Sequence, residues 1–108
     1  MNERILVVDD EEPILFAIRD YFATRGIEVG CARDSKEASE LLQRSDYSIV
    51  IADLRLSEPD QMEGLKVIRY IRRNFPSTRM IILTAYGSPE IEKDARRLGV
   101  EAFLNKPQ

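Results

Sequence analysis

Apolar runs recur along the chain and stop at polar residues. Ile5-Leu6-Val7-Val8 precedes Asp9 and Asp10, Ile49-Val50-Ile51-Ala52 precedes Asp53, and Met80-Ile81-Ile82-Leu83 precedes Thr84. Ala102-Phe103-Leu104-Asn105, less apolar, precedes Lys106. Short runs of this kind read as strands buried on both faces of a parallel sheet. The pattern predicts strands at Ile5 to Asp9, Glu28 to Ala32, Ser48 to Asp53, Met80 to Thr84 and Ala102 to Asn105. Between them the apolar residues change to helical spacing. Ile14, Leu15, Ile18, Tyr21 and Phe22 form one stripe, Leu65, Ile68, Ile71 and Phe75 a second, and Ile91, Ala95 and Leu98 a third. Ala38, Leu41 and Leu42 support a shorter helix over Ser35 to Arg44.

Boundary residues agree with this division. Pro13 suits the first turn of the first helix and Gly26 its C-terminal cap. Asp34 followed by Glu37 has the form of a capping box, and Ser88-Pro89 that of an N-cap followed by an N1 proline. Gly99 is placed to end the fourth helix in a left-handed conformation, and Pro76 lies just past the third. Strand and helix alternate, so right-handed crossovers give an α/β fold with a doubly wound parallel sheet. Five strands fit the order 2-1-3-4-5, whose switch point lies between strands one and three. Ligands bind in such sheets at the carboxyl ends of the strands, beside that point. Asp9, Asp10 and Asp53 stand there.

Composition narrows the function classes. The 108 residues make one domain, expected to span 1–108, with 44% hydrophobic and 32% charged residues. A net charge of −3 gives no electrostatic footprint for direct nucleic-acid binding. No apolar stretch has the length of a membrane span and the N-terminus has no signal-peptide pattern, so a cytoplasmic protein with no membrane partner is expected. The single Cys31 has no internal disulfide partner and reads as a buried, inert thiol.

Three carboxylates gathered within about 5 Å repel by about 3 kcal/mol per pair at an effective dielectric of about 20. Such a group either keeps protons or surrounds a cation. Hard oxygen donors without His or paired Cys favour Mg²⁺, or Mn²⁺, over Zn²⁺. Thr84 and Lys106 suit the grip on a phosphoryl group. Asp53 stands alone while Asp9 and Asp10 adjoin Glu11 and Glu12, which read as helix-start charges. A solitary Asp beside a metal and an ammonium is suited to act as a nucleophile and form an aspartyl phosphate.

Four stretches carry a family resemblance: Ile5-Leu6-Val7-Val8-Asp9-Asp10-Glu11, Ile51-Ala52-Asp53-Leu54, Ile82-Leu83-Thr84-Ala85 and Gly99-Val100-Glu101-Ala102-Phe103-Leu104-Asn105-Lys106-Pro107. In this order and at this spacing they resemble the response-regulator receiver domain, the phosphoacceptor module of two-component signalling, from residue 3 to the end. The resemblance implies the flavodoxin-like version of the fold. It also implies that Asp53 is phosphorylated by a histidine kinase or histidine phosphotransfer protein. Asp9 and Asp10 would hold Mg²⁺ together with Asp53 and the main-chain carbonyl of Arg55. Lys106 would contact the phosphate, and Thr84 and Phe103 would act as switch residues relaying the change to helix four and strand five. Lys106-Pro107 is where receivers carry a cis peptide bond. The consequence expected is control of an output domain or downstream protein, with self-phosphorylation and autodephosphorylation rather than turnover, so not an enzyme. A homodimer stays open.

Bland readings stand beside these. Thr84 could cap the turn before helix four, Lys106 could be a surface lysine, and Phe103 could be an ordinary core aromatic. Two departures from the family pattern matter. Residues 54–64 form a longer loop than usual after Asp53, with acids at Glu58, Asp60 and Glu63; with Arg55 and Tyr86 it is expected to influence aspartyl-phosphate lifetime. The fifth helix that receivers carry after strand five is missing from this sequence, which ends at Gln108. The expectation is a chain cut short, or one whose uncovered sheet face a neighbour supplies. Two rivals remain: a haloacid-dehalogenase-type Mg²⁺-dependent phosphatase or phosphotransferase, which places its nucleophile after strand one and a second acid two residues later, and a phosphorylation-independent interaction domain. Adjacent Asp9 and Asp10 argue against the first.

Overall fold

Every apolar run becomes a strand in the computed structural model, which describes residues 3–54, 61–85 and 88–105. The strands are β1 (Arg4–Val8), β2 (Glu28–Ala32), β3 (Ile49–Asp53), β4 (Arg79–Thr84) and β5 (Ala102–Asn105). The helices are α1 (Glu12–Ala23), α2 (Ser35–Arg44), α3 (Gln61–Asn74) and α4 (Pro89–Arg97). All pairings are parallel and the order is β2-β1-β3-β4-β5, as the alternation of elements predicts.

Strand alternation divides the apolar residues between two layers. Leu6, Val50, Met80 and Ile82, with 0% exposure, face α2, α3 and α4 and pack with Ala38, Leu42, Leu65, Ile68, Ile91 and Ala95. Burying side chains of this size stabilises the fold by about 1.5–3 kcal/mol each. Ile5 and Val7 face the other way, onto Leu15 of α1. Among the described residues one helix covers that side; Ile49, Ile51, Ile81 and Leu83 are half-buried there and Leu104 is 50% exposed.

The helix ends follow the capping chemistry with one variation. Asp34 accepts from the Glu37 amide at 2.8 Å, but Glu37 Oε1 accepts from the amide of Arg33 at 2.7 Å, one residue before the reciprocal position of a capping box. Ser88 accepts from the Ile91 amide at 3.2 Å. Gly26 and Gly99 close α1 and α4 at φ 76° and 97°, where a Cβ would be strained. At Gly99 a side chain would also crowd Arg72, whose Nη1 donates to the Thr78 carbonyl at 2.6 Å. The Thr78 hydroxyl donates in turn to the Tyr47 carbonyl at 2.9 Å, tying the amino end of β4 to that of β3.

Several elements depart from expectation. β1 is Arg4–Val8 instead of Ile5 to Asp9, β3 begins at Ile49 instead of Ser48, and residues 61–64 of the expected loop form the start of α3. β4 begins one residue early, at Arg79, because its amide donates to the Ser48 carbonyl at 3.0 Å. Tyr21, placed in the α1 stripe, is 54% exposed: it lies about 120° around the helix from Leu15. Its ring meets the edge of Phe22 at 5.2 Å and the guanidinium of Arg25 at 3.7 Å instead of entering the core.

Gly30 admits Tyr47 across β2. A Cβ there would stand 2.5 Å from the Tyr47 hydroxyl and 3.1 Å from ring carbons. Gly30→Ala is expected to destabilise the domain by about 1–3 kcal/mol through overpacking, and by less in a Tyr47→Phe background. Urea titration of the four proteins in that cycle measures the coupling; additivity would refute it.

Burial pushes the Cys31 thiol above its ordinary value of 9.0, with Arg19 opposing. Burial likewise raises the Tyr47 phenol above 10.0; Arg4 opposes, while Glu28 and Cys31 add to the rise. Both groups then ionise in the unfolded chain before they ionise in the fold. Their contribution is complete below about pH 9 and falls as the pH rises through these values. The urea midpoint should decline in that range, and less steeply in a Cys31→Ser/Tyr47→Phe variant.

Candidate functional site

The sheet register brings the polar strand ends to one edge. Val8 pairs with Ala52 on β3, so Asp9 and Asp53 are the next residues on adjacent strands. Asp53 itself pairs with Leu83, and Thr84 with Asn105, so the strand ends step across β1, β3, β4 and β5 in sequence. Neighbouring strands lie about 4.8 Å apart. The acids, the hydroxyl and the residue preceding Lys106 thus share one edge of the sheet. Lys106, Arg55 and Tyr86, and the Lys106-Pro107 bond, lie outside the described residues, as do residues 55–60 of the long loop.

Asp9 is 2% exposed although it is ionisable. Its amide donates to the Ala32 carbonyl at 2.9 Å, extending the β1–β2 ladder past the last strand residue. Its Oδ1 accepts from the Glu11 amide at 2.9 Å, which fixes the carboxylate across the turn into α1. Asp10 and Glu11 are exposed beside it. Carboxylate oxygens of Asp9, Asp10 and Glu11 all lie within 4.8 Å of one another. Glu11, which the sequence marks as a helix-start charge, is the N-cap of α1; its side chain makes no capping hydrogen bond, and its carboxylate also lies in this acidic group. Three consecutive acids in one strand-to-helix turn were the available signal.

Asp53 is half-buried at the end of β3, outside that tight group and on the adjacent strand. Thr84 is 1% exposed at the end of β4, and α4 itself is capped by Ser88. Phe103 is 5% exposed and packs in the core on the side of α2, α3 and α4.

The donor set suits a hard divalent cation. Oxygen donors alone, one of them oriented by an amide and shielded from water, match Mg²⁺ or Mn²⁺ and lack the nitrogen or sulfur that Zn²⁺ prefers.

Comparison with known proteins matches the model of the response regulator receiver domain over residues 5–108. The chain belongs to this family. Over 106 residues it is 35% identical to the response regulator protein PilR of Pseudomonas aeruginosa, covering 98% of this chain but 23% of the relative. Sporulation initiation phosphotransferase F of Bacillus subtilis is 30% identical over 107 residues, covering 99% of this chain and 84% of that protein. Among solved structures, a Burkholderia pseudomallei response regulator with a phosphorylated aspartic acid, a calcium ion and citrate superposes with a TM-score of 0.84 at 27% identity, covering 99% of this chain and 61% of that one. The beryllofluoride-activated NtrC4 receiver domain dimer gives 0.81 at 28% identity, covering 97% and 84%. The receiver assignment carries a phosphoacceptor role with it.

Removing one of the three clustered carboxylates should weaken any cation binding there: Asp10→Asn is expected to abolish most of the rise in melting temperature that Mg²⁺ produces in the unaltered domain. Calorimetry with and without Mg²⁺ reads the effect.

Proposed function

We propose that this receiver accepts a phosphoryl group on Asp53 from the phosphohistidine of a histidine kinase or phosphotransfer protein. The reading is carried by one observation: Asp53 ends the strand next to the one that runs into Asp9, Asp10 and Glu11. An Asp53 carboxylate oxygen attacks phosphorus, a P–O bond forms as the P–N bond breaks, and the departing imidazole takes up a proton. Bound Mg²⁺ would offset charge on the phosphoryl oxygens. Asp9 and Asp10 would hold the ion with Asp53 and the Arg55 carbonyl, and the position of Glu11 makes it a candidate through water. Lys106 would bind the phosphate.

Output is a population shift rather than turnover, so the domain is not an enzyme acting on a separate substrate. Phosphorylation favours one of two surface arrangements, and a partner responds only as far as it prefers that arrangement. Thr84, buried at the end of β4, and Phe103, buried on β5 on the same side as Ile91 of α4, suit the relay to the α4/β5 surface. The receiver would act in the cytoplasm, consistent with a set of described helices none of which is long and apolar enough to cross a membrane. PilR is more than four times as long as the matched region, so control of an attached output domain, and dimerisation like that of the NtrC4 receiver, belong to this proposal.

Phosphorylation with a small acyl phosphate and Mg²⁺, followed by mapping, tests the assignment. Label should be lost in Asp53→Asn and retained, formed more slowly, in Asp9→Asn. Loss in Asp9→Asn with retention in Asp53→Asn would instead mark the haloacid-dehalogenase arrangement. Absence of label in the unaltered protein would refute phosphoacceptor function on this aspartate.

A further inference from the structure

The outward face of α3 carries a basic groove that the phosphoryl site does not use. It is lined by Lys66, Arg69, Tyr70, Arg73 and Asn74 and has a volume of about 420 Å³. The spacing of the three cations puts them on one exposed side of the helix, over about two turns. Lys66 has Glu63 at 3.4 Å, a fully solvated pair that contributes little. Arg69 and Arg73 have no carboxylate within 4.0 Å among the described residues, unlike Arg4, Arg33, Arg96 and Arg97 but like Arg44 and Arg79, which stand singly on other elements. Arg72, in the same run, points away and is committed to the Thr78 carbonyl. The outward charge is therefore a feature of one face, not of the whole Arg-rich segment.

The floor of the groove is held in place. The Tyr70 hydroxyl is 2.9 Å from the Ser39 hydroxyl on α2, and its ring meets the edge of Phe75 at a centroid distance of 6.3 Å. Asn74 Nδ2 donates to the Tyr70 carbonyl at 2.8 Å. An aromatic held in place beside two guanidinium groups is already ordered for contact, which lowers the entropic cost of binding.

We propose that this face docks an acidic segment of a protein partner, with carboxylates paired to Arg69 and Arg73 and the adjoining chain lying on Tyr70. A groove lined from one helix cannot enclose a small molecule, which needs walls from several elements. A nucleic acid is disfavoured because the chain carries a net charge of −3 and this patch spans only two turns, whereas carboxylate pairs match the guanidinium fork directly. α3 leads away from the carboxyl edge of the sheet, and the groove occupies its later turns, so docking there leaves Asp53 accessible.

Fluorescence anisotropy of a labelled decaglutamate peptide with the whole chain tests the proposal. Binding should weaken as salt is raised. It should fall about tenfold in Arg69→Gln/Arg73→Gln, which keeps the apolar stems and the helix. Arg96→Gln/Arg97→Gln, with the same change in net charge on α4, should change it less than about twofold. Circular dichroism confirms folding of each variant; should the double variant unfold, Arg69→Gln alone, expected to weaken binding about threefold, replaces it. Absence of peptide binding, equal weakening by the α4 control, or tighter binding of a ten-residue oligothymidylate would overturn the proposal, the last in favour of a nucleic-acid surface.

Discussion

Parallel pairing of strands whose one face is fully enclosed, and in β1 both faces, is the constraint on which everything else depends. Leu6, Val50, Met80 and Ile82 have no exposure, and their neighbours on the same strands alternate to the α1 face. A strand so enclosed has room for polar side chains only at its ends. Parallel register then assembles those ends on a single edge, because every crossover returns the chain to the same side. Asp9, Asp53 and Thr84 are neighbours for this reason, although they are far apart in sequence.

The same constraint explains how an acidic turn is tolerated. Asp9 is almost fully enclosed and stands beside two further carboxylates, an arrangement that opposes folding unless something compensates. The Ala32 carbonyl anchors its backbone and the Glu11 amide satisfies one of its oxygens. The hydrophobic layers on both sides of β1 supply the stabilisation that holds this turn in place.

Much of this was legible in the sequence because its signals are local or periodic. Four-residue apolar runs mark strands, and capping residues such as Asp34, Ser88, Gly26 and Gly99 mark helix ends within a residue or so. The strand order follows from the alternation of elements, and with it the meeting of Asp9 and Asp53. What was not legible depends on side-chain direction. Glu11 lies against Asp9 because its amide donates to the aspartate, a turn geometry that the run of three acids suggests but does not fix. Tyr21 fits an apolar stripe by spacing but lies at its edge, where stacking on Arg25 competes with burial. The Gly30–Tyr47 contact joins a strand to a distant loop, and no periodicity encodes it.

Charge is distributed as unevenly as hydrophobicity. The acids that matter chemically lie at the carboxyl edge of the sheet, while Arg69 and Arg73, without a carboxylate partner among the described residues, lie on the later turns of α3. Elsewhere Arg33 pairs with Glu12 and Arg96 with Glu92. With charge screened over about 8–10 Å in physiological salt, the two regions act on different parts of an approaching partner. A domain organised in this way can present a phosphorylation-sensitive edge and a constant basic face together. Discrimination by phosphorylation then rests on the first, since a contact made equally in both states changes affinity without changing the switch.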